Sequence, residues 1–233
     1  MAEFVLVAGS CHGAWAWRDV VPALERRGHV ARPLDLPAHG ADTTPPGDVT
    51  LDSYAAAIVS AIDGRAVLVA HSAAGYPATL AARLAPEKIA LIVYVCAYVP
   101  QPGLSVADLR RAAQRQPLRD AIVVDPRRVT YSFDTDLAID RFYHDVVPTT
   151  ARWAVGQLGP EPIGPQETPF GPLPEVPRAY VICSADRAIP PEAQREMTAG
   201  WPSHSVVTLP TSHSPFLADP DGLATALDGF ATA

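Results

Sequence analysis

Ser72, Asp186 and His213 are the residues of this 233-residue chain whose types and order could perform nucleophilic chemistry. A serine hydroxyl is a weak nucleophile until a base takes its proton, and a neutral imidazole does this near pH 7. A carboxylate on the far ring nitrogen holds the imidazole in the working tautomer and stabilises the imidazolium. Ser72 interrupts Val67-Leu68-Val69-Ala70-His71-Ser72-Ala73-Ala74-Gly75-Tyr76, an apolar β-branched run that continues as an alanine-rich segment. This reads as a strand, a tight turn and a helix, the layout of a nucleophile elbow. The hydroxyl then stands clear of the sheet, and the next N–H points at the group under attack, helped by the positive helix end. The usual pattern is G-x-S-x-G. Here Ala70 and Ala74 take both glycine positions, and Gly75 comes one residue later. Alone, the stretch equally fits a serine cap on an ordinary strand–helix turn.

The elements that must position these residues follow in order. Phe4-Val5-Leu6-Val7 is an unbroken apolar run, as in a strand buried on both faces, and it ends at Ala8-Gly9. The loop Ser10-Cys11-His12-Gly13 leads toward a helix over 18–27. Acyl transfer develops negative charge that must meet two fixed donors, and the N–H groups of Ser10 and Ala73 are the candidates for this oxyanion hole. His12 reads as a histidine pinning that loop, with a catalytic role as the alternative. Further strands are expected over 30–36, 66–70, 89–99, 178–183 and 206–209, and helices over 51–62, 73–84, 192–199 and 223–231. Such alternation predicts an α/β fold with a doubly wound, mostly parallel sheet of about six strands and ligands at the strands' carboxyl ends. Ser72, Asp186 and His213 each follow such an end. Asp186 could instead cap the next helix, in which case Asp219 or Glu192 would supply the carboxylate.

From 101 to 177 the strand–helix rhythm stops and prolines concentrate. This predicts a mostly helical cap inserted within a single 1–233 domain, lying over the serine, with 159–177 as an extended return linker. Tyr131, Phe133, Phe142, Tyr143, Trp153 and Phe170 could line an apolar pocket beneath it or simply hold its helices down. A net charge of −7 and a pI near 5.4 argue against a nucleic-acid surface. The longest apolar run, 89–99, is too short to cross a bilayer. The start of the chain resembles no leader, so a soluble cytoplasmic protein acting on a small molecule is expected. Cys11, Cys96 and Cys183 have no metal-type spacing and read as buried free thiols. Exposed apolar cap surface would permit a homodimer without demanding one.

The order Ser, Asp, His along the chain is that of the α/β-hydrolase fold. Val5-Leu6-Val7-Ala8-Gly9-Ser10-Cys11-His12-Gly13-Ala14-Trp15, the elbow, Ser184-Ala185-Asp186-Arg187 and Ser212-His213-Ser214-Pro215 resemble the small α/β-hydrolases that include plant methyl-ester esterases, hydroxynitrile lyases, bacterial esterases and pyrethroid hydrolases. The resemblance implies a helical cap over an apolar pocket and no metal or organic cofactor. Lyases of this group carry a lysine after the histidine and a threonine in the first loop. Ser214 and Gly9 stand there in this chain, as in the esterase branch, while Ala8 replaces the histidine usual before the loop glycine. The expected activity is cleavage of a small-to-medium apolar carboxylic ester through an acyl-enzyme. The alternatives are a lyase or tailoring enzyme using His213 as base, and a ligand-binding protein without turnover.

Overall fold

Each apolar run splits its side chains between two layers, because successive residues of a strand face opposite ways. The computed structural model describes residues 1–232. Its strands are β1 (Glu3–Val7), β2 (Val30–Leu34), β3 (Ala66–His71), β4 (Ile89–Val95), β5 (Ile122–Val124), β6 (Thr130–Phe133), β7 (Glu161–Pro162), β8 (Arg178–Cys183) and β9 (Val206–Leu209). The order β2-β1-β3-β4-β8-β9 makes one sheet with every neighbouring pair parallel. Val5, Val7, Leu68, Ala70, Ile92 and Tyr94 face one core, and Phe4, Leu6, Val67, Val69, Val93 and Val95 face the other. The helices are α1 (Val20–Glu25), α2 (Leu51–Ser60), α3 (Gly75–Leu84), α4 (Val106–Ala112), α5 (Thr135–Phe142), α6 (Pro148–Val155), α7 (Ile163–Glu167), α8 (Pro191–Met197), α9 (Pro215–Ala218) and α10 (Pro220–Thr232). Helices α2 and α3 cover the first core, α1 and α10 the second. Pro33 sits in β2, at the sheet's edge, where a missing N–H costs no ladder bond. No helix is long and apolar enough to cross a membrane.

The winding reverses at β1: β2 lies on one side of it and β3 on the other. Chain segments leaving β1 and β3 therefore diverge and leave a crevice between them at the carboxyl edge. Val7 pairs with Ala70, so the turn after β1 and the turn after β3 emerge side by side. This register brings Gly9 and Ser10 next to Ser72.

Between β4 and β8 the inserted segment differs from the mostly helical expectation. Besides α4 to α7 it contains an antiparallel ribbon, β5-β6-β7. The Asp125 carboxylate accepts the N–H groups of Arg127, Val129 and Thr130, which closes the turn from β5 to β6. Segment 159–177 is not merely a linker, since Tyr131 pairs with Glu161 and α7 follows at once. A two-residue strand that follows one proline and contains another has no periodicity to read. The insertion has its own core, built on Leu118, Ala138, Phe142, Tyr143, Ala151 and Ala154.

Candidate active site

The elbow is built from residues chosen for space more than for freedom. Ser72 adopts φ 55°, the left-handed region, a conformation that costs a non-glycine residue about 1–3 kcal/mol. The surroundings hold it there. The Ser72 carbonyl accepts the Tyr98 N–H at 3.0 Å, so the segment just after β4 grips the turn. A Cβ on Gly75 would lie 2.0 Å from the Tyr98 carbonyl oxygen, and one on Gly9 would lie 2.6 Å from Ser72 Cβ. Gly75 itself has φ −54°, so its missing side chain serves the close approach alone. Ala70 and Ala74, at the usual glycine positions, are buried without difficulty.

Ser72, His213 and Asp186 form one hydrogen-bonded line. Ser72 Oγ is 3.0 Å from His213 Nε2, and His213 Nδ1 is 2.7 Å from Asp186 Oδ2. Since the carboxylate can only accept, Nδ1 carries the proton and Nε2 faces the hydroxyl with a lone pair. Asp186 Oδ1 also accepts the N–H groups of Ala188 at 2.6 Å and Ile189 at 2.9 Å, and Oδ2 accepts Gln194 Nε2 at 2.9 Å. Helix α8 starts after Pro190 and takes no side-chain cap, so Asp186 caps its own turn while holding the histidine. The other two carboxylates weighed in the sequence are committed elsewhere: Asp219 to the Gly222 N–H, Glu192 to Arg115.

The histidine loop is fixed from three directions. His71, one residue before the serine, donates from Nε2 to the His213 carbonyl at 2.9 Å and accepts the Gly9 N–H on Nδ1. From the insertion, the Asp145 carboxylate accepts the Ser212 N–H, and the Phe142 carbonyl accepts the Ser212 hydroxyl. His12 is a pin for the first loop: Nδ1 lies 2.8 Å from the Ser10 carbonyl and Nε2 2.7 Å from the Tyr143 hydroxyl. Burial pushes the His12 pKa down to about 4 and that of His71 well below the ordinary histidine value. Both are neutral at neutral pH. Among the described residues the N–H groups of Ser10 and Ala73 have no hydrogen-bond partner, and both residues wall the space over Ser72.

That space is a chamber of about 20 Å³, lined also by Tyr131, Phe133 and Phe142. The other three aromatics of the insertion do structural work: Tyr143 on His12, Trp153 edge-on to Trp15, Phe170 edge-on to Tyr76. His71, Cys96 and His213 bring donor atoms within 4.8 Å of one another, a trio that could suggest a metal. Both His213 nitrogens and His71 Nε2 are already engaged in hydrogen bonds, and burial pushes the Cys96 thiol pKa up, away from the thiolate a metal needs. The trio does not fit a metal.

With this geometry the comparison with known proteins is direct. Residues 4–226 match the alpha/beta hydrolase family. The chain belongs to that family. It is similar to Methylesterase 2 of Arabidopsis thaliana, 31% identical over 95% of this chain and 93% of the relative. Methylesterase 7 of the same plant is 29% identical over 97% of this chain and 94% of its own length. Among solved structures, a pyrethroid hydrolase from Sphingobium faniae JZ-2 superposes with a TM-score of 0.89 at 25% identity, covering 100% of this chain and 98% of the other.

Four residues of this alpha/beta hydrolase's site carry no mark in the sequence. Gln194 joins α8 to Asp186 and to the Cys183 N–H. Buried Glu161 accepts from the Cys11 N–H at 2.9 Å, His39 Nε2 at 2.8 Å and Gln166 Nε2 at 2.7 Å, tying the insertion to the first loop. Burial alone would push the His39 pKa down, but the Glu161 carboxylate outweighs it and holds it above the ordinary value. Gln166 and Arg110 both line the chamber. Gln194 is the buried residue of a helix that is otherwise part-buried or exposed, which its type does not reveal, and Glu161 and Gln166 sit in a proline-rich stretch without a period to read.

Proposed function

We propose that this protein hydrolyses carboxylic esters of small to medium size with apolar groups, through an acyl-enzyme on Ser72. The observation that carries this reading is the line from Ser72 through His213 to Asp186, with one unambiguous tautomer. His213 Nε2 takes the hydroxyl proton as Ser72 Oγ bonds to the ester carbonyl carbon, and the Ser10 and Ala73 amides receive the developing oxyanion. The tetrahedral adduct collapses by breaking the carbon–alcohol oxygen bond, and His213 returns its proton to the departing alcohol. Water then attacks the acyl-serine with His213 again as base, releasing the acid and restoring the hydroxyl. Kinship to methylesterases and the apolar walls of Phe133 and Phe142 support an apolar ester.

The test is hydrolysis of p-nitrophenyl acetate and butyrate by wild type and Ser72→Ala, with intact-mass detection of a fluorophosphonate adduct. Turnover and adduct should both disappear in the variant. Activity that survives Ser72→Ala would favour a reaction in which His213 acts as base without an acyl-enzyme, and would sink the proposal.

A further inference from the structure

Arg110 is the one arginine of its helix left without an acidic partner, and it faces the reaction space. Its neighbours on the same segment are neutralised at the surface. Arg111 pairs with Asp108 at 2.9 Å, and Arg115 pairs with Glu192 through two bonds of 2.6 and 2.9 Å. Among the described residues no carboxylate lies within 4.0 Å of Arg110. It is only partly exposed, and its guanidinium lies over the Tyr131 ring, 5.7 Å from the centroid. Glu161, the buried carboxylate whose charge acts on Arg110, is occupied by Cys11, His39 and Gln166. Burial alone would disfavour its charge, but Tyr131, Tyr98 and the Glu161 carboxylate outweigh it and hold its pKa above the ordinary arginine value, so the guanidinium is a fixed cation with no carboxylate paired to it.

The position of Arg110 says what could complete it. It lines the chamber over Ser72 and also a neighbouring cavity of about 280 Å³ between α4 and α8, together with Tyr98 and Leu118. The cavity walls include the apolar Leu104, Leu109, Ile189 and Met197, with Gln101, Gln116 and the Glu192-paired Arg115 also on them and Glu196 at an exposed rim. A substrate bound at Ser72 and extending into this cavity would run apolar atoms along its walls and pass the guanidinium. The planar fork of arginine matches a carboxylate through two parallel hydrogen bonds.

We propose that Arg110 is a specificity residue that binds an ionised carboxylate of the substrate, so that the preferred esters are half-esters of dicarboxylic acids with a short apolar spacer. This rests on the esterase reading above and narrows it to a substrate class.

The experiment compares kcat/KM for the monomethyl and dimethyl esters of glutaric and adipic acid in wild type, Arg110→Gln and Arg110→Glu. Wild type should prefer the half-ester by about tenfold or more, the worth of one charge-assisted hydrogen bond. Arg110→Gln should collapse that ratio, chiefly through KM, and Arg110→Glu should invert it. Free glutarate should compete with p-nitrophenyl butyrate in wild type, and its isosteric diamide should not. Equal use of half-ester and diester by wild type, or a ratio unchanged in a folded Arg110→Gln protein, overturns the assignment. If no ester is turned over, the esterase reading falls first. Calorimetric titration of glutarate into wild type and Arg110→Gln then decides the anion site by itself: tighter binding to wild type supports it, and equal or absent binding overturns it.

Discussion

Asp186 accepts four hydrogen bonds, from Ala188, Ile189, Gln194 and His213. Three of these fix the carboxylate so that the fourth can fix the imidazole. Asp186→Asn keeps the shape and can keep its carbonyl on the two backbone donors. Its amide then faces His213 Nδ1 with hydrogens, forcing the proton to Nε2 and away from its working place. The same amide also meets the Gln194 Nε2 donor, so a kcat loss of about 10⁴ with a stability loss of about 1–3 kcal/mol is expected, read by comparing turnover and melting on one preparation. The buried histidines set a second test at this scale. The His12 pKa is lowered in the fold from 6.5 to about 4, so the unfolded chain binds more protons between these values. Its contribution is therefore complete above about pH 6.5 and lost as pH falls toward 4, with His71 acting in the same sense and His39 in the opposite one. Urea midpoints should fall across that window in wild type and fall less in His12→Gln. Ser72, Asp186 and His213 were legible because each stands in a turn directly after an apolar run. Glu161 was not: its partner Cys11 is 150 residues away, and nothing near either residue announces the other.

At the scale of elements, the glycine of the elbow moved with the contact that needs it. Replacing Gly75 with alanine places a methyl against the Tyr98 carbonyl and must push α3 from the end of β4. A loss of about 1–3 kcal/mol or more is expected, whereas Ala74→Gly should cost about 1 kcal/mol or less. Thermal melts of the two variants against wild type distinguish these outcomes. The parallel strands were readable because burial on both faces leaves continuous apolar runs, as in β1, β3, β4 and β8. The ribbon of the insertion was not. Its β5 is the apolar run Ile122-Val123-Val124, three residues too short to tell a strand from a turn of helix, and β7 is shorter than any period.

Across the whole molecule all three cysteines are buried: Cys96 and Cys183 in the second core, and Cys11 in the first loop against Glu161 and Tyr131 of the insertion. Burial pushes the Cys11 thiol pKa well up, with the Glu161 carboxylate adding to it. A thiol reagent such as DTNB should therefore titrate no cysteine in the native protein and all three in denaturant, with the slow native rate reporting on opening. Rapid modification of the folded protein would contradict this packing. The chamber over Ser72 and the cavity of about 280 Å³ beside it share Tyr98, Arg110 and Leu118 as walls, so a guest in either space rests on side chains that also bound the other.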